Sequence, residues 1–191
     1  MSKKNITGIV LAGGKNSRMG SDKGLLMLDG RRFIDQILAS LIPLVDEVII
    51  ISNSNNYDHL GFKVFSDIVT DCGPMGGIYT GLVNSSTVKN IILSCDIPFI
   101  TSPVLSHIIG ESENCEIAIP EHGGKLEPLC AVYTKNCAEK LRTLLDNKEW
   151  KMQEAIKNFV TKKVRFSQST EIEKSFLNIN TPFEFIQQNV K

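Results

Sequence analysis

Residues 48–51 of this chain read Val-Ile-Ile-Ile, a run with no polar position left to face water. A strand covered on one face alternates apolar with polar residues, whereas an unbroken β-branched run suits a parallel strand with helices on both sides. Ile6–Leu11 and residues 90–94 have the same character. Between the first two runs, Phe33, Ile34, Ile37, Leu38, Leu41 and Ile42 recur at helical spacing before Pro43. Strand, helix, strand makes a βαβ unit. Its right-handed crossover puts the segment after the first strand at the C-terminal edge of the sheet, where open α/β folds bind ligands.

The alternation continues through all 191 residues. A short apolar run over 25–28 ends in the turn signal Asp29-Gly30, and residues 64–65 predict a third strand ending in Ser66-Asp67. A glycine cluster over 72–77 precedes a helix carrying Ile78, Leu82 and Val83 on its apolar side. Then come a helix through Val104, Leu105, Ile108 and Ile109, a strand over 116–120, a polar loop over 121–127, a strand over 129–133 and a helix over 136–145. Met152, Ile156, Phe159 and Val160 predict a further helix, residues 164–166 and 176–180 late strands, and Thr181, Pro182 and Glu184 the capped start of a final helix. The expected fold is one three-layer α/β domain over 1–191 with a Rossmann-like, mostly parallel sheet.

Composition narrows the function classes. With 42% hydrophobic residues the chain can bury a substantial core, and its 21 basic and 21 acidic residues cancel. No overall field collects nucleic acid or an anionic membrane, so anion binding must be local. The N-terminal apolar stretch is too short for a signal peptide core or a membrane span, which makes a cytoplasmic location the expectation. Five widely spaced cysteines without a Cys-x-x-Cys pair read as reduced and mostly buried, and three scattered histidines without His-Glu-x-x-His argue against a histidine metal site.

Such a local anion site follows the first strand directly. Leu11, Ala12, Gly13 and Gly14 lead into Lys15, Arg18, Gly20 and Lys23, so glycines that let the backbone approach a ligand are mixed with three cations. A polyphosphate is the simplest ligand. The spacing matches neither the phosphate loop of kinases and GTPases nor Gly-x-Gly-x-x-Gly.

Leu11-Ala12-Gly13-Gly14, Ser17-Arg18-Met19-Gly20 and Asp22-Lys23 together resemble the signature of the molybdenum cofactor guanylyltransferases, the MobA family. The resemblance continues in Gly73-Pro74-Met75-Gly76-Gly77-Ile78, in Cys95-Asp96-Ile97-Pro98-Phe99, in Pro128-Leu129 with Ala131 and Tyr133, and in Asn178-Ile179-Asn180-Thr181-Pro182. Five ordered blocks span nearly the whole chain. The first block alone also fits sugar-nucleotide and cytidylyl transferases.

The resemblance implies a nucleotide-diphospho-sugar transferase type of fold and an enzyme that moves GMP from GTP onto molybdopterin, with residues to about 110 on the nucleotide side and the remainder on the acceptor side. It implies Mg2+ as cofactor, and GTP, molybdopterin or Mo-molybdopterin, and transient contact with other cofactor-biosynthesis proteins or molybdoenzymes as partners. Arg18, Lys23 and Asp96 are the implied catalytic residues, with Asp96 also the metal ligand. Leu11, Ala12, Gly13, Gly14, Lys23, Asp67, Gly76, Gly77 and Asp96 are implied to bind nucleotide, and Asn178 and Asn180 the acceptor. Asn53 follows the second strand beside a family nucleotide contact, but its register is open and it is not assigned.

Each residue also has a structural reading. Arg18 can pair with Asp22 or Asp67, Asp96 can be a turn residue before Pro98, Gly76 and Gly77 can permit tight packing, and Asn178 and Asn180 can bond the local backbone. The nearer rival activities are transfer from CTP and transfer to a sugar or polyol phosphate. The rival of another class is a non-catalytic nucleotide-binding module.

Overall fold

The computed structural model describes residues 4–13, 22–180 and 184. β1 (Ile6–Leu11) leads to the hairpin β2 (Met27–Leu28) and β3 (Arg31–Arg32), then α1 (Phe33–Leu41), β4 (Glu47–Ile51), β5 (Lys63–Phe65), α2 (Pro74–Asn84) and β6 (Lys89–Ser94). The second half runs α3 (Ser102–Gly110), β7 (Ile117–His122), β8 (Lys125–Leu126), β9 (Cys130–Thr134), α4 (Cys137–Asp146), α5 (Met152–Ala155), β10 (Thr161–Arg165) and α6 (Thr170–Ser175).

The main sheet has the order β10-β7-β9-β6-β1-β4-β5, with β8 added on β7. β1 lies parallel between β4 and β6, and β5 continues the parallel set beyond β4. β9 is inserted antiparallel between β6 and β7, while β10 returns parallel to β7. The expected α/β sheet, mostly parallel, is therefore present, with β9 and the two-residue β8 as its antiparallel strands.

Period-two alternation splits the core into two layers. Val10, Ile50, Ile91 and Leu93 face α1 and α3, meeting Ile34, Ile37, Leu41, Val104 and Leu105. Ile9, Leu11, Ile49, Ile51 and Ile92 face the opposite side, meeting Ile78 and Leu82 of α2 and Leu141 and Leu144 of α4. Both faces of β1 and β4 are dry, which is why their sequences carry no polar alternation.

Several local expectations are corrected. The polar loop over 121–127 is partly the β7–β8 hairpin, turned by Gly123 and Gly124 at positive φ. Val83 is exposed on α2, not inward. The helix expected through Val160 is only the short α5 and a 3-10 turn ending before Phe159, and Val160 is 62% exposed. Residues 176–180 form no strand. They follow α6, which begins at the cap Ser169, whose hydroxyl accepts the Ile172 N–H. The Cys residues are free, and all but Cys115 are buried. Thr181 and Pro182 of the expected last helix lie outside the described residues, whereas Glu184 is helical and accepts the Asn180 N–H at 2.7 Å.

Candidate active site

The C-terminal ends of the parallel strands converge on a cavity of about 670 Å³. The Ala12 N–H donates to the Ile51 carbonyl at 2.9 Å, and the Cys95 N–H donates to the Leu11 carbonyl at 3.1 Å, so the chain beyond β1 is held between the exits of β4 and β6. Leu11, Ala12, Gly13, Ser52, Asn53, Asp67, Gly77 and Asp96 line the cavity. Gly73, at φ 61°, turns the chain into α2, whose first turn through Pro74 and Gly77 forms part of the wall. The partial positive charge of that helix end favours an anion there.

The two glycines implied as nucleotide contacts are not equivalent. A Cβ on Gly77 would stand 3.2 Å from Leu11 Cδ2 and 3.5 Å from Asp67 Oδ1, at the cavity wall. A Cβ on Gly76 would strike the Val69 carbonyl oxygen, and Gly76 is not among the lining residues. Gly76 keeps α2 close to the Val69 backbone.

Asp67 and Asn53 form a reciprocal pair. Asn53 Nδ2 donates to Asp67 Oδ2 at 2.9 Å, and the Asp67 N–H donates to Asn53 Oδ1 at 2.9 Å. Asp67 Oδ1 is buried and has no hydrogen-bond partner. Asn53, whose register is open in the sequence, thus lies on the cavity wall against Asp67.

Beyond β6, Lys23, Asp96 and Asn180 come together, and of the three Asp96 lines the cavity. Lys23 Nζ donates to Asn180 Oδ1 at 2.7 Å and stands 4.0 Å from Asp96 Oδ2. The Ile179 N–H donates to the Asp96 carbonyl at 2.9 Å, which ties the C-terminal segment to the end of β6. Asn178 lies on this segment, half-buried, and does not line the cavity. Gly14 and Arg18 lie outside the described residues.

Asp96 Oδ1 is buried without a partner. An orphaned carboxylate oxygen in a cavity calls for a cation or donor that the protein does not supply. Among the described residues no group of three or more His, Cys, Asp or Glu side chains could hold a metal alone. A single carboxylate completed by substrate phosphates is the coordination Mg2+ habitually takes, so the donor set fits. Glu127, before β9, is a further carboxyl that sequence reasoning passed over. Burial pushes it up from the usual glutamate range, and the nearby Asp96 pushes it the same way. Its adjacency to the Pro128-Leu129 block was the available signal.

Sheet order and the place of the cavity define an α/β fold of the nucleotide-diphospho-sugar transferase type. The chain belongs to the MobA-like NTP transferase domain family, whose sequence profile matches residues 8–161. It is 32% identical over 188 residues, 98% of each chain, to a probable molybdenum cofactor guanylyltransferase of Flavobacterium johnsoniae. It is 35% identical over 193 residues, 96% of this chain and 94% of the other, to a protein of the same description from Natranaerobius thermophilus. The molybdopterin-guanine dinucleotide biosynthesis protein A of Archaeoglobus fulgidus superposes with a TM-score of 0.81 at 23% identity, covering 96% of both chains.

Proposed function

We propose that the protein binds GTP with Mg2+ in this cavity and transfers GMP to molybdopterin, in its molybdenum-loaded form, releasing pyrophosphate and forming molybdopterin guanine dinucleotide. The convergence of Lys23, Asp96 and Asn180 beside the cavity carries this reading, because it joins the donor loop, a metal-competent carboxylate and the acceptor-side segment at one point. The names of the full-length relatives support it.

Leu11, Ala12 and Gly13, followed by Gly14, receive the nucleotide, with Gly77 and the Asn53-held carboxylate of Asp67 on the wall toward base and ribose. Lys23 stabilises the charge that spreads over the α-phosphate oxygens as the acceptor phosphate attacks, and Arg18 adds a planar fork to the same oxygens. Mg2+, held by Asp96, supplies charge neutralisation of the triphosphate. The attacking group is already an anionic phosphate, so alignment of the two substrates, and no general base, is what the protein contributes. Asn178 and Asn180 take the acceptor side. Residues to about 110 form the nucleotide half and the remainder the acceptor half, and the reaction takes place in the cytoplasm. Among the described residues no helix is long and apolar enough to cross a membrane.

Pyrophosphate release measured with GTP and with CTP, each with and without molybdopterin, tests the proposal. Release only with GTP and only with the pterin supports it. Equal release with CTP, or release only with a sugar phosphate, overturns it.

A further inference from the structure

Lys23 is held at its tip by Asn180, and a second set of contacts fixes its root. It opens a three-residue 3-10 turn, Lys23–Leu25, whose N-cap is Asp22. Asp22 Oδ1 accepts the Gly24 N–H at 3.2 Å and the hydroxyl of Tyr57, while Oδ2 accepts Asn56 Nδ2 at 3.4 Å. Tyr57 and Asn56 belong to the 3-10 segment Asn55–Leu60 just beyond β4, so an element on another strand grips the turn.

Tyr57 is 0% exposed, and its ring packs so closely under the turn that a Cβ on Gly24 would stand 2.5 Å from the Tyr57 hydroxyl oxygen. A buried phenylalanine would fill nearly the same space. What the hydroxyl adds is one bond to a carboxylate that lines the cavity. Burial pushes the phenol well above its ordinary value, with the bond to Asp22 acting the same way, so it remains a donor at every working pH. The need for such a donor is electrostatic. A carboxylate on the wall of a polyphosphate site is repelled by the ligand and attracted by neighbouring cations, and unless its lone pairs are occupied it pulls the loop out of register.

We infer that Tyr57 is a positioning residue for nucleotidyl transfer: through Asp22 its hydroxyl holds the turn that presents the Lys23 ammonium to the phosphates of the donor. The inference rests on the proposed function only in requiring a polyphosphate donor, not in the identity of its base or acceptor.

The test is a double-mutant cycle of Tyr57→Phe and Lys23→Ala in the full chain, read as equilibrium binding of inorganic tripolyphosphate with Mg2+, with thermal unfolding alongside. Tyr57→Phe alone is expected to weaken tripolyphosphate about tenfold, the effect of losing one hydrogen bond to a charged group. In the Lys23→Ala background it is expected to cost no further binding, while its small effect on the unfolding temperature stays the same. Equal losses in both backgrounds would assign Tyr57 to folding alone and overturn the inference. Binding unchanged by Tyr57→Phe, or no tripolyphosphate binding by the unsubstituted chain, also overturns it. GTP measured against CTP on the same proteins decides the base separately, so an error in the assigned substrate is distinguishable from an error about Tyr57.

Discussion

Asn53 and Asp67, on loops after adjacent strands, clasp each other through two hydrogen bonds of 2.9 Å and leave Asp67 Oδ1 buried without a partner. The clasp fixes the Asp67 carboxylate at the cavity wall and leaves one of its oxygens without a protein donor. Asn53→Ala is expected to weaken GTP by about 1 kcal/mol, close to fivefold, because Asp67 then loses its fixed orientation. Titration calorimetry measures this, and unchanged affinity would remove Asn53 from the site.

Asp96→Asn keeps the side-chain volume and the backbone bond from Ile179, but it removes the charge beside Lys23. Turnover is expected to vanish and the Mg2+ dependence of GTP binding to flatten, with the unfolding temperature nearly unchanged. Ordinary kinetics in this variant would refute the metal role.

Lys23→Ala removes the ammonium and leaves Asn180 without its partner. Steady-state kcat/KM should fall by about 1.5–3 kcal/mol of transition-state stabilisation. A loss seen only in the acceptor KM would move Lys23 from the donor phosphates to the acceptor.

Gly76→Ala and Gly77→Ala separate packing from binding. The first drives a methyl into the Val69 carbonyl and is expected to cost about 1–3 kcal/mol in denaturant unfolding. The second meets the side chains of Leu11, Asp67 and Ile51 at 3.2–3.8 Å at the cavity wall, so nucleotide affinity should fall with a smaller loss of stability than in Gly76→Ala.

Glu116 supplies a pH prediction. The hydrogen bond from Lys140 Nζ at 2.8 Å, followed by that from the Val160 N–H at 2.7 Å, holds its carboxyl below the usual range. A group depressed in the folded state contributes stability above its unfolded value and loses it as pH falls through the folded one. The unfolding temperature should therefore decline as pH drops below the ordinary glutamate value of roughly 4.3. Glu116→Gln should lower the neutral plateau and flatten part of that decline.

The sequence reading was strongest where both faces of an element are buried. β1, β4 and β6 announce themselves because Ile9, Ile49 and Ile92 face one helical layer and Val10, Ile50 and Ile91 the other. It was weakest where local signals compete with tertiary contacts. Residues 176–180 look like a strand, yet Ile179 spends its N–H on the Asp96 carbonyl and not on a ladder. Gly123 and Gly124 signal a turn, but pairing of Lys125 with His122 depends on where the chain can go afterwards. In the site, Lys23 and Asp96 stood out by type and order within their motifs, whereas Asp67 rested on the family resemblance alone. The Asn53–Asp67 pair was hidden because it spans 14 positions, and the Tyr57–Asp22 bond because a buried tyrosine in sequence looks like core.

The bond between Lys23 and Asn180 spans 157 positions, so the two halves of the site are made at opposite ends of synthesis. Every strand of the main sheet precedes Asn180 in the chain, so the sheet can be complete while the contact at Lys23 is still missing. A chain cut just before Asn180 keeps β1 through β10 and loses the contact that steadies the Lys23 ammonium. Building the sheet and steadying Lys23 thus depend on different stretches of the chain.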